Sequence, residues 1–443
     1  MPRKKKTVAT KTSSKKFQLV KGMHDVLPED EKFWNFVTET VKKIASDYGY
    51  QKIDTPILEF TDLFTRSVGA ETDIVSKEMY SFVDQGGDNI SLRPEGTAGV
   101  VRAYNEHGMF NLPQPVKVFY IGQMFRHESP QSGRFRQFYQ FGFEAIGEYE
   151  PILDAQQIVI GYKILQACGI TSMVHVNSVG CQECRPDYIN ILTDFFKDMK
   201  SQLCDECKKR LLKNPLRILD CKEKKCQELT ANLPQTVDHL CEECRDHFVK
   251  VLEYLDELEI PYFLNSRIVR GLDYYTKTSF EFWEGEDESG RQKAFGGGGR
   301  YDKLVEQLGG RSTPAVGFAA GMERIINKMK DNDFTVPLNR KPDIFLAQLG
   351  NEARKKTLRL YEELKQAGYY VAESMSKNGI KPQLELANKL GVRYSLILGQ
   401  KEIIDGTILI RDMEGGIQEV INYEKIFIEL EKRFNKQGEK TTE

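Results

Sequence analysis

The stretch FRHESPQSGRFRQFYQFGFE, residues 125–144, has the pattern of two antiparallel strands joined by a short polar loop. Side chains alternate between the two faces of a strand, so the return strand should separate two sets of residues. One face carries Arg136, Phe138, Gln140, Gly142 and Glu144. The other carries Phe135, Tyr139, Phe141 and Phe143, and we expect it to be core. The first face is too polar and too ordered for a solvated edge, so it predicts a recognition surface.

The same alternation places Arg126 beside Glu128 on the preceding strand. The hairpin therefore offers guanidinium groups for phosphate, an aromatic ring for a base, and acceptors for a cationic ligand. A plain charged hairpin accounts for Arg134 and Arg136. It leaves Gln140 and Glu144 among aromatic residues, where an unpaired carboxylate is costly.

Five further strings carry a resemblance that covers nearly the whole chain: KGMHDVLP at 21–28, LRPEGTAG at 92–99, VRGLDYY at 269–275, AFGGGGRYD at 294–302 and GFAAGMERI at 317–325. The hairpin is similar to the second signature motif of class II aminoacyl-tRNA synthetases, and in this order the strings resemble the bacterial-type histidyl-tRNA synthetase family. The resemblance implies an α+β catalytic core with an antiparallel sheet (the class II synthetase fold), a helical insertion domain and a C-terminal α/β anticodon-binding domain.

The pattern along the chain gives boundaries for these parts. The predicted ranges are 1–16 for a disordered basic tail, 17–177 with 262–330 for the catalytic domain, 178–261 for the insertion, 331–341 for a linker and 342–443 for the anticodon-binding domain. Apolar residues at helical spacing predict one helix from Phe33 to Tyr48, ended by Gly49. Strands are predicted at 116–126, 134–146 and 267–275 and at the entry to GFAAGMERI, and the C-terminal helices should end at Gly368 and Gly391.

Composition and charge limit the function classes only weakly. The chain has 443 residues, 40% of them hydrophobic, and a formal net charge of -2, which neither suggests nor excludes a nucleic-acid partner. No apolar run has the length of a membrane span and the N-terminus lacks the apolar core of a secretory signal, so we expect a cytoplasmic protein. The basic tail is interpreted as solvated, with weak contact to RNA as the alternative.

The resemblance implies ATP-dependent ligation of L-histidine to tRNA(His) through a histidyl-adenylate, with ATP and Mg as the nucleotide substrate and a homodimer as the assembly. It assigns Arg270 as the catalytic residue at the reacting phosphate. ATP is then bound by Arg126, Glu128, Phe138 and Arg324. Histidine is bound by Glu95, Thr97, Arg126, Gln140, Glu144, Arg270, Tyr274 and Tyr275, and the tRNA acceptor end by Gln131, Arg134 and Arg136.

Several alternatives remain open at this point. Arg270 could form a structural ion pair with Asp273, and the segment around Pro56, which the family uses at its dimer interface, could be a bare edge strand. A regulatory paralogue of the same fold, similar to the subunit that governs ATP phosphoribosyltransferase, is the alternative function; that class is expected to lack the anticodon domain and the phosphate-binding arginines. His24 departs from the family pattern, outside the proposed contacts.

The cysteines predict a separate feature. All of the nine except Cys168 lie in close pairs within the insertion: Cys181 and Cys184, Cys204 and Cys207, Cys221 and Cys226, Cys241 and Cys244. Two such pairs meeting in space would form a tetrahedral thiolate zinc site, and four pairs could form two. The alternative is that they are small buried residues at helix starts. Disulfides are unexpected in a cytoplasmic chain.

Overall fold

The computed structural model describes residues 17–69, 72–129, 133–221, 223–230, 233–269, 271–285, 294–337 and 341–435. It divides into two compact units, Met1–Val336 and Pro337–Glu443. None of the described helices combines the length and the apolar character needed to cross a membrane. The predicted basic tail lies outside the described residues.

The strands of the first unit form one large sheet and one small sheet. They are β1 (Gln51–Lys52), β2 (Leu58–Phe60), β3 (Tyr80–Val83), β4 (Asn89–Leu92), β5 (Val116–Phe125), β6 (Gln137–Ile146), β7 (Ser172–Ser178), β8 (Tyr262–Leu264), β9 (Thr276–Glu284), β10 (Ala294–Arg300) and β11 (Ala315–Gly321). The large sheet has the order β1-β5-β6-β11-β10-β9-β7-β8, and the small one has the order β2-β4-β3. Pairing in the large sheet is antiparallel except at its two edges, β1–β5 and β7–β8. The predicted antiparallel core is confirmed.

The α-helices of this unit are α1 (Glu31–Asp47), α2 (Thr61–Phe64), α3 (Thr97–Glu106), α4 (Ile152–Ala167), α5 (Arg185–Lys197), α6 (Asp205–Lys213), α7 (Lys224–Leu229), α8 (Glu242–Glu257), α9 (Leu304–Gln307) and α10 (Met322–Asp331). Short 3₁₀ turns occur at Met109–Asn111, Lys200–Gln202, Pro215–Ile218 and Thr236–His239, and π-turns at Thr65–Gly69 and Ile74–Glu78. Helix α1 buries Phe33, Val37 and Val41, as the apolar spacing predicts, and also buries Ala45. Helices α5–α8 lie between β7 and β8, where a helical block is predicted.

Aromatic residues from neighbouring strands fill the main core beneath the sheet. The rings of Phe143 on β6 and Phe318 on β11 stack in parallel with their centroids 5.3 Å apart. Phe141 packs edge-on against both. The predicted core face of the return strand is therefore correct for Phe141 and Phe143. It is wrong for Phe135, because β6 begins at Gln137 and strand alternation does not extend to residue 135.

Strands β10 and β11 approach each other closely because β10 is built from glycines. A Cβ atom at Gly298 would lie 2.1 Å from the carbonyl oxygen of Gly317, and one at Gly296 would lie 2.4 Å from that of Ala319. Such distances are sterically forbidden, so the glycine run is required for the pairing itself. The resulting strand has irregular register at both of its ends.

A buried ion pair fixes helix α4 against the sheet. The Arg300 guanidinium donates to the Asp154 carboxylate from Nε at 3.0 Å, and both side chains have no solvent exposure. His247 of α8 also contacts Asp154, at 3.1 Å. Although burial opposes it, the nearby Arg300 holds the pKa of Asp154 below its usual range. This contact joins helices α4 and α8 to the strand that leads into Tyr301.

The strand predicted at 267–275 is wrong. Its described residues, 267–269 and 271–275, form turns, bends and irregular backbone, and β9 begins only at Thr276. Arg217 explains the difference, because its Nη2 atom donates to the Gly271 carbonyl at 3.0 Å and to Asp273 at 2.9 Å. These bonds hold the segment in a turn. The predicted strands at 116–126 and 134–146 correspond to β5 and β6.

The second unit has its own sheet and core. Its elements are β12 (Ile344–Gln348), α11 (Asn351–Gln366), β13 (Val371–Glu373), α12 (Ile380–Leu390), β14 (Tyr394–Leu398), α13 (Gln400–Asp405), β15 (Thr407–Asp412), β16 (Gln418–Asn422), a 3₁₀ turn at Tyr423–Lys425 and α14 (Ile426–Asn435). Strands β13, β12 and β14 are parallel, as predicted, and β15 and β16 add an antiparallel pair. Gly391 ends α12 with a left-handed conformation, φ 64°.

Candidate active site

A cavity of about 230 Å³ opens above strands β6, β10 and β11. Its wall includes most of the residues that the sequence predicts for substrate binding: Glu95, Thr97, Arg126, Glu128, Arg134, Phe138, Gln140, Tyr274, Tyr275 and Arg324. The rest of the wall comes from residues with small side chains, such as Gly296 and Ala319, from aromatic rings, and from Leu272 and Glu323. One cavity thus collects side chains from segments far apart in the chain.

Several hydrogen-bond acceptors line this cavity. The Glu95 carboxylate accepts the backbone N–H groups of Thr97 at 2.7 Å and Ala98 at 2.8 Å, so it also caps helix α3. Burial raises the pKa of Glu95. Gln140 Oε1 is buried and has no hydrogen-bond partner among the residues that the structure describes. A buried acceptor without a donor is unfavourable unless a ligand supplies one.

Glu144 lies behind the cavity wall, where it contacts the lining residue Thr97. Its carboxylate accepts hydrogen bonds from Thr97 Oγ1 at 2.7 Å and from the Tyr301 hydroxyl. Burial raises the pKa of Glu144 to about 8. The carboxylate needs the glycine opposite, since a Cβ atom at Gly317 would lie 1.7 Å from Glu144 Oε2. Glu144 therefore orders the hydroxyl groups of its two donors.

Tyr120 lines the cavity but is absent from the sequence prediction. Its ring fills the space above two glycines, because a Cβ atom at either Gly96 or Gly142 would lie 2.3 Å from the ring carbon Cζ. In the sequence, the missing side chain at Gly142 on the recognition face was the one local sign that another side chain fills this space. The rings of Tyr274 and Tyr275, with centroids 4.7 Å apart, complete this side.

Three guanidinium groups also line the cavity, those of Arg126, Arg134 and Arg324. Arg126 donates from Nε to the Pro94 carbonyl at 2.8 Å, and its guanidinium lies 5.5 Å from the centroid of the Phe138 ring. Arg134 binds Glu128 at 3.0 Å, so these two predicted residues contact each other. Arg324, in the first turn of α10, donates to the Ala294 carbonyl, and burial lowers its pKa. The cavity wall therefore combines buried acceptors with three guanidinium groups.

Arg136 does not line the cavity. Its side chain donates to the carbonyls of Glu128 at 3.3 Å and Lys21 at 3.4 Å, and it packs over Gly22. Phe135 lines the cavity instead, with the ring of His24 4.2 Å away. His24, which departs from the family pattern, therefore contacts a residue of the cavity wall but does not line the cavity itself.

Glu323 is a second cavity residue that the sequence does not reveal. Both of its carboxylate oxygens accept the Tyr139 backbone N–H, at 2.8 and 3.1 Å, and burial raises its pKa to about 7. This contact joins the first turn of α10 to β6. In the sequence, Glu323 precedes Arg324 in an ordinary helical pattern, so no local signal marks it.

Two predicted residues, Arg270 and Gln131, lie outside the described residues. The neighbouring Leu272 lines the cavity. Asp273, the alternative partner for Arg270, accepts hydrogen bonds from Arg217 at 2.9 Å and Asn214 at 3.4 Å.

Comparison with known proteins identifies the family. A family model described as histidyl-tRNA synthetase matches residues 22–325, and one described as an anticodon binding domain matches residues 336–433. The chain belongs to the histidyl-tRNA synthetase family. The histidine–tRNA ligase of Dehalococcoides mccartyi is 45% identical over 418 residues, which cover 94% of this chain and all of that protein. The histidine–tRNA ligase of Desulforamulus reducens is 43% identical, over 93% of this chain and 98% of its own.

Solved structures agree with this assignment to the histidyl-tRNA synthetase family. The apo histidyl-tRNA synthetase of S. aureus is 34% identical and superposes with a TM-score of 0.77, over 93% of this chain and 98% of its own. The histidyl-tRNA synthetase of Nostoc sp. PCC 7120, at 20% identity and a TM-score of 0.66, shows likeness of fold alone. The class II synthetase fold expected from the sequence is confirmed.

Proposed function

We infer that this protein is a histidine–tRNA ligase. It activates L-histidine with ATP to give histidyl-adenylate and diphosphate, and then transfers the histidyl group to tRNA(His) with release of AMP. The histidyl-tRNA synthetase family, matched over residues 22–325, supports this function. The observation that carries the chemistry is the composition of the cavity wall, which combines buried hydrogen-bond acceptors with guanidinium groups.

We propose that the buried hydrogen-bond acceptors of the cavity bind the amino acid. The substrate ammonium requires acceptors, and the cavity wall offers them in Glu95, Thr97 and the unpartnered Gln140 Oε1. We assign the imidazole to Glu144 and Tyr275, with Tyr274 beside them. A pocket whose buried polar groups require both ring nitrogens rejects other amino acids, because those groups would then remain unpaired. Glu144 would act from beneath the wall, either directly or through the hydroxyls of Thr97 and Tyr301.

We propose that the guanidinium groups of the cavity, together with Phe138 and Glu128, bind ATP. The adenine would lie on Phe138 with its amino group toward Glu128, and Arg126 and Arg324 would contact the α-phosphate and the terminal phosphate. Attack of the histidine carboxylate on the α-phosphorus concentrates negative charge, and preorganised guanidinium groups stabilise it. We assign Arg270 as the catalytic cation at the reacting phosphate and Arg126 as a contact shared with histidine. Magnesium, which class II synthetases use with ATP, would neutralise phosphate charge as part of the nucleotide substrate.

For the tRNA, we propose that Gln131, Arg134 and Arg136 meet the acceptor end. The hairpin loop that contains them borders the cavity, since Gly133 and Arg134 line it. Side chains of this type contact phosphates and base edges. Because Arg134 binds Glu128 in the structure, tRNA contact and adenine contact would be coupled at this pair.

For the assembly, we propose a cytoplasmic homodimer with the domain ranges predicted above. Exposed apolar residues of the small sheet support a contact between two copies: Leu58, Phe60, Phe82 and Val83 are 44%, 61%, 48% and 63% exposed. Exposed apolar residues of this kind are typical of protein interfaces. The helical block between β7 and β8 supports the insertion boundaries, and the division at Val336 supports a linker near residue 336.

The regulatory alternative has one observation in its favour. A structure from Bacillus halodurans, whose title names both an ATP phosphoribosyltransferase regulatory subunit and a histidyl-tRNA synthetase, is 20% identical with a TM-score of 0.60, which shows the fold alone. Against it stand the guanidinium groups of Arg126 and Arg324 in the cavity and the match of residues 336–433 to an anticodon binding domain. Both features support tRNA charging over the regulatory function.

The deciding experiment is amino-acid-dependent exchange of pyrophosphate into ATP, measured with each of the standard amino acids. We expect exchange with histidine alone. Exchange with another amino acid would contradict the pocket assignment. If no amino acid supported exchange and histidine nevertheless bound, the regulatory function would be correct.

A further inference from the structure

The structure sorts eight cysteines into two separate groups. The inner group is Cys181, Cys184, Cys241 and Cys244, and the outer group is Cys204, Cys207, Cys221 and Cys226. In each group, all four Sγ atoms lie within 4.8 Å of one another. The ninth cysteine, Cys168, belongs to the main core. The pairing of the cysteines, which the sequence leaves open, is therefore nested along the chain. The inner group joins residues 181–184 to residues 241–244, and the outer group, residues 204–226, lies between them in the sequence.

The sulfur spacing fits four ligands around one ion. Zinc–sulfur bonds of about 2.3 Å in a tetrahedron place the sulfurs about 3.8 Å apart. The Sγ–Sγ distances of Cys181–Cys184, Cys181–Cys241 and Cys204–Cys221 are each 3.8 Å. All of these cysteines are free, and a disulfide would need sulfurs about 2.0 Å apart. Groups this compact have space for a single ion and none for bridging sulfides, which excludes an iron–sulfur cluster.

Backbone N–H groups are directed at the sulfurs, as expected for thiolates. In the inner group, Cys184 Sγ accepts from the Cys181 N–H and Cys181 Sγ from the Glu183 N–H, both at 3.3 Å. In the outer group, Cys226 Sγ accepts from the Cys204 N–H at 3.3 Å and Cys204 Sγ from the Cys207 N–H at 3.4 Å. Cys184, Cys204 and Cys241 also directly precede helices α5, α6 and α8, whose N-termini favour negative charge.

The outer part of the insertion has little other means of stability. Its core consists of Phe196, Leu203, Leu211 and Ile218 together with three of the cysteines, Cys207, Cys221 and Cys226. The helices around it are short, with 9 residues in α6 and 6 in α7. A core this small usually requires a metal ion or a disulfide to remain folded.

We propose that each group binds one structural zinc ion, so that the chain carries two tetrathiolate zinc sites. The inner zinc joins the first turns of α5 and α8, whose ligands Cys181 and Cys241 are 60 residues apart. It also reaches the histidine pocket, because Arg185, adjacent to Cys184, donates from Nη2 to the Tyr275 carbonyl and, at 3.1 Å, to the Gly180 carbonyl. The outer zinc closes the shorter segment from Cys204 to Cys226 and holds the small core together.

Metal content of the full chain tests this proposal. The protein, grown with zinc and purified without chelator or polyhistidine tag, should contain two zinc ions per chain by mass spectrometry. Cys184→Ser and Cys207→Ser should each retain one, and the matched control Cys168→Ser should retain two. Zinc-free wild-type protein, iron in place of zinc, or two zinc ions in either ligand variant would overturn the proposal.

Cobalt substitution provides a second measurement that needs no variant. Wild-type protein reconstituted with two equivalents of Co²⁺ should show intense thiolate-to-metal charge transfer and the strong visible bands of tetrahedral cobalt. The weak spectrum of octahedral cobalt would contradict the four-sulfur assignment. Eight thiols should also react with a disulfide reagent more slowly before zinc is chelated than after, and equal rates would contradict zinc binding.

Discussion

At the scale of single residues, a substitution at Gln140 gives the clearest test of the proposed histidine-binding residues. Gln140→Leu removes the buried Oε1 acceptor, and a hydrogen bond to a charged group is worth about 1.5–3 kcal/mol. We therefore expect the KM for histidine in pyrophosphate exchange to rise about 10-fold or more, with little change in the KM for ATP. The matched control is Gln123→Leu on the neighbouring strand, whose amide donates to the Tyr139 hydroxyl outside the cavity. An unchanged histidine KM in the Gln140 variant would remove this residue from the pocket.

Glu144 should make stability depend on pH. Its folded-state pKa is raised from 4.5 to about 8, so between these values the folded protein binds more protons than the unfolded chain. Stability from this group is present at the acidic end of that window and is lost as pH rises through it. In Glu144→Gln the melting temperature should fall less over the same range, whereas the exposed control Glu39→Gln should keep the wild-type slope. Glu323 acts in the same direction, so the slope is reduced rather than abolished.

At the scale of elements, Arg185 links the inner cysteine group to the pocket through its bonds to the carbonyls of Val179, Gly180 and Tyr275. It acts as a positioning residue. Arg185→Ala should raise the histidine KM about 10-fold while kcat changes less, because the Tyr275 backbone loses a charged donor. Zinc content should stay at two per chain, and Arg185→Lys should restore part of the affinity.

The control for Arg185 is Arg245→Ala, whose guanidinium binds the Leu240 carbonyl at 3.3 Å on the side of α8. That variant should keep the wild-type KM for histidine. Equal effects of the two substitutions would show that general loosening of the insertion, rather than placement of Tyr275, is responsible.

The same elements show what the sequence could predict. Strand alternation correctly separated Phe138 and Gln140 from Phe141 and Phe143, since that pattern is local. The turn at 271–275 was missed because Arg217, which holds it, is more than fifty residues away. The pairing of cysteines was unpredictable for the same reason. Tyr120 could not be predicted because it lies in an apolar strand, and its place in the cavity depends on the absent side chains of Gly96 and Gly142.

At the scale of the whole molecule, the two compact units should separate the two half-reactions. The first unit contains the cavity and the second has its own core. A protein ending at Val336 should retain histidine-dependent pyrophosphate exchange, while charging of tRNA(His) should fall at least 10-fold because the contacts of the second unit are gone. Both reactions would be measured on the truncated and full-length proteins. Normal charging by folded truncated protein would contradict the role of residues 342–443.

The strand order of the large sheet has a consequence for synthesis on the ribosome. Strand β11 pairs with β6 on one side and with β10 on the other, yet it is the last strand of that sheet in the chain. Until residue 321 has emerged, the nascent sheet consists of two halves, each with an open edge that invites incorrect pairing. The cysteine-rich segment emerges earlier, between β7 and β8 of the second half, and can fold around its metal before the halves meet. Translation thus finishes the substrate cavity only when its bridging strand arrives.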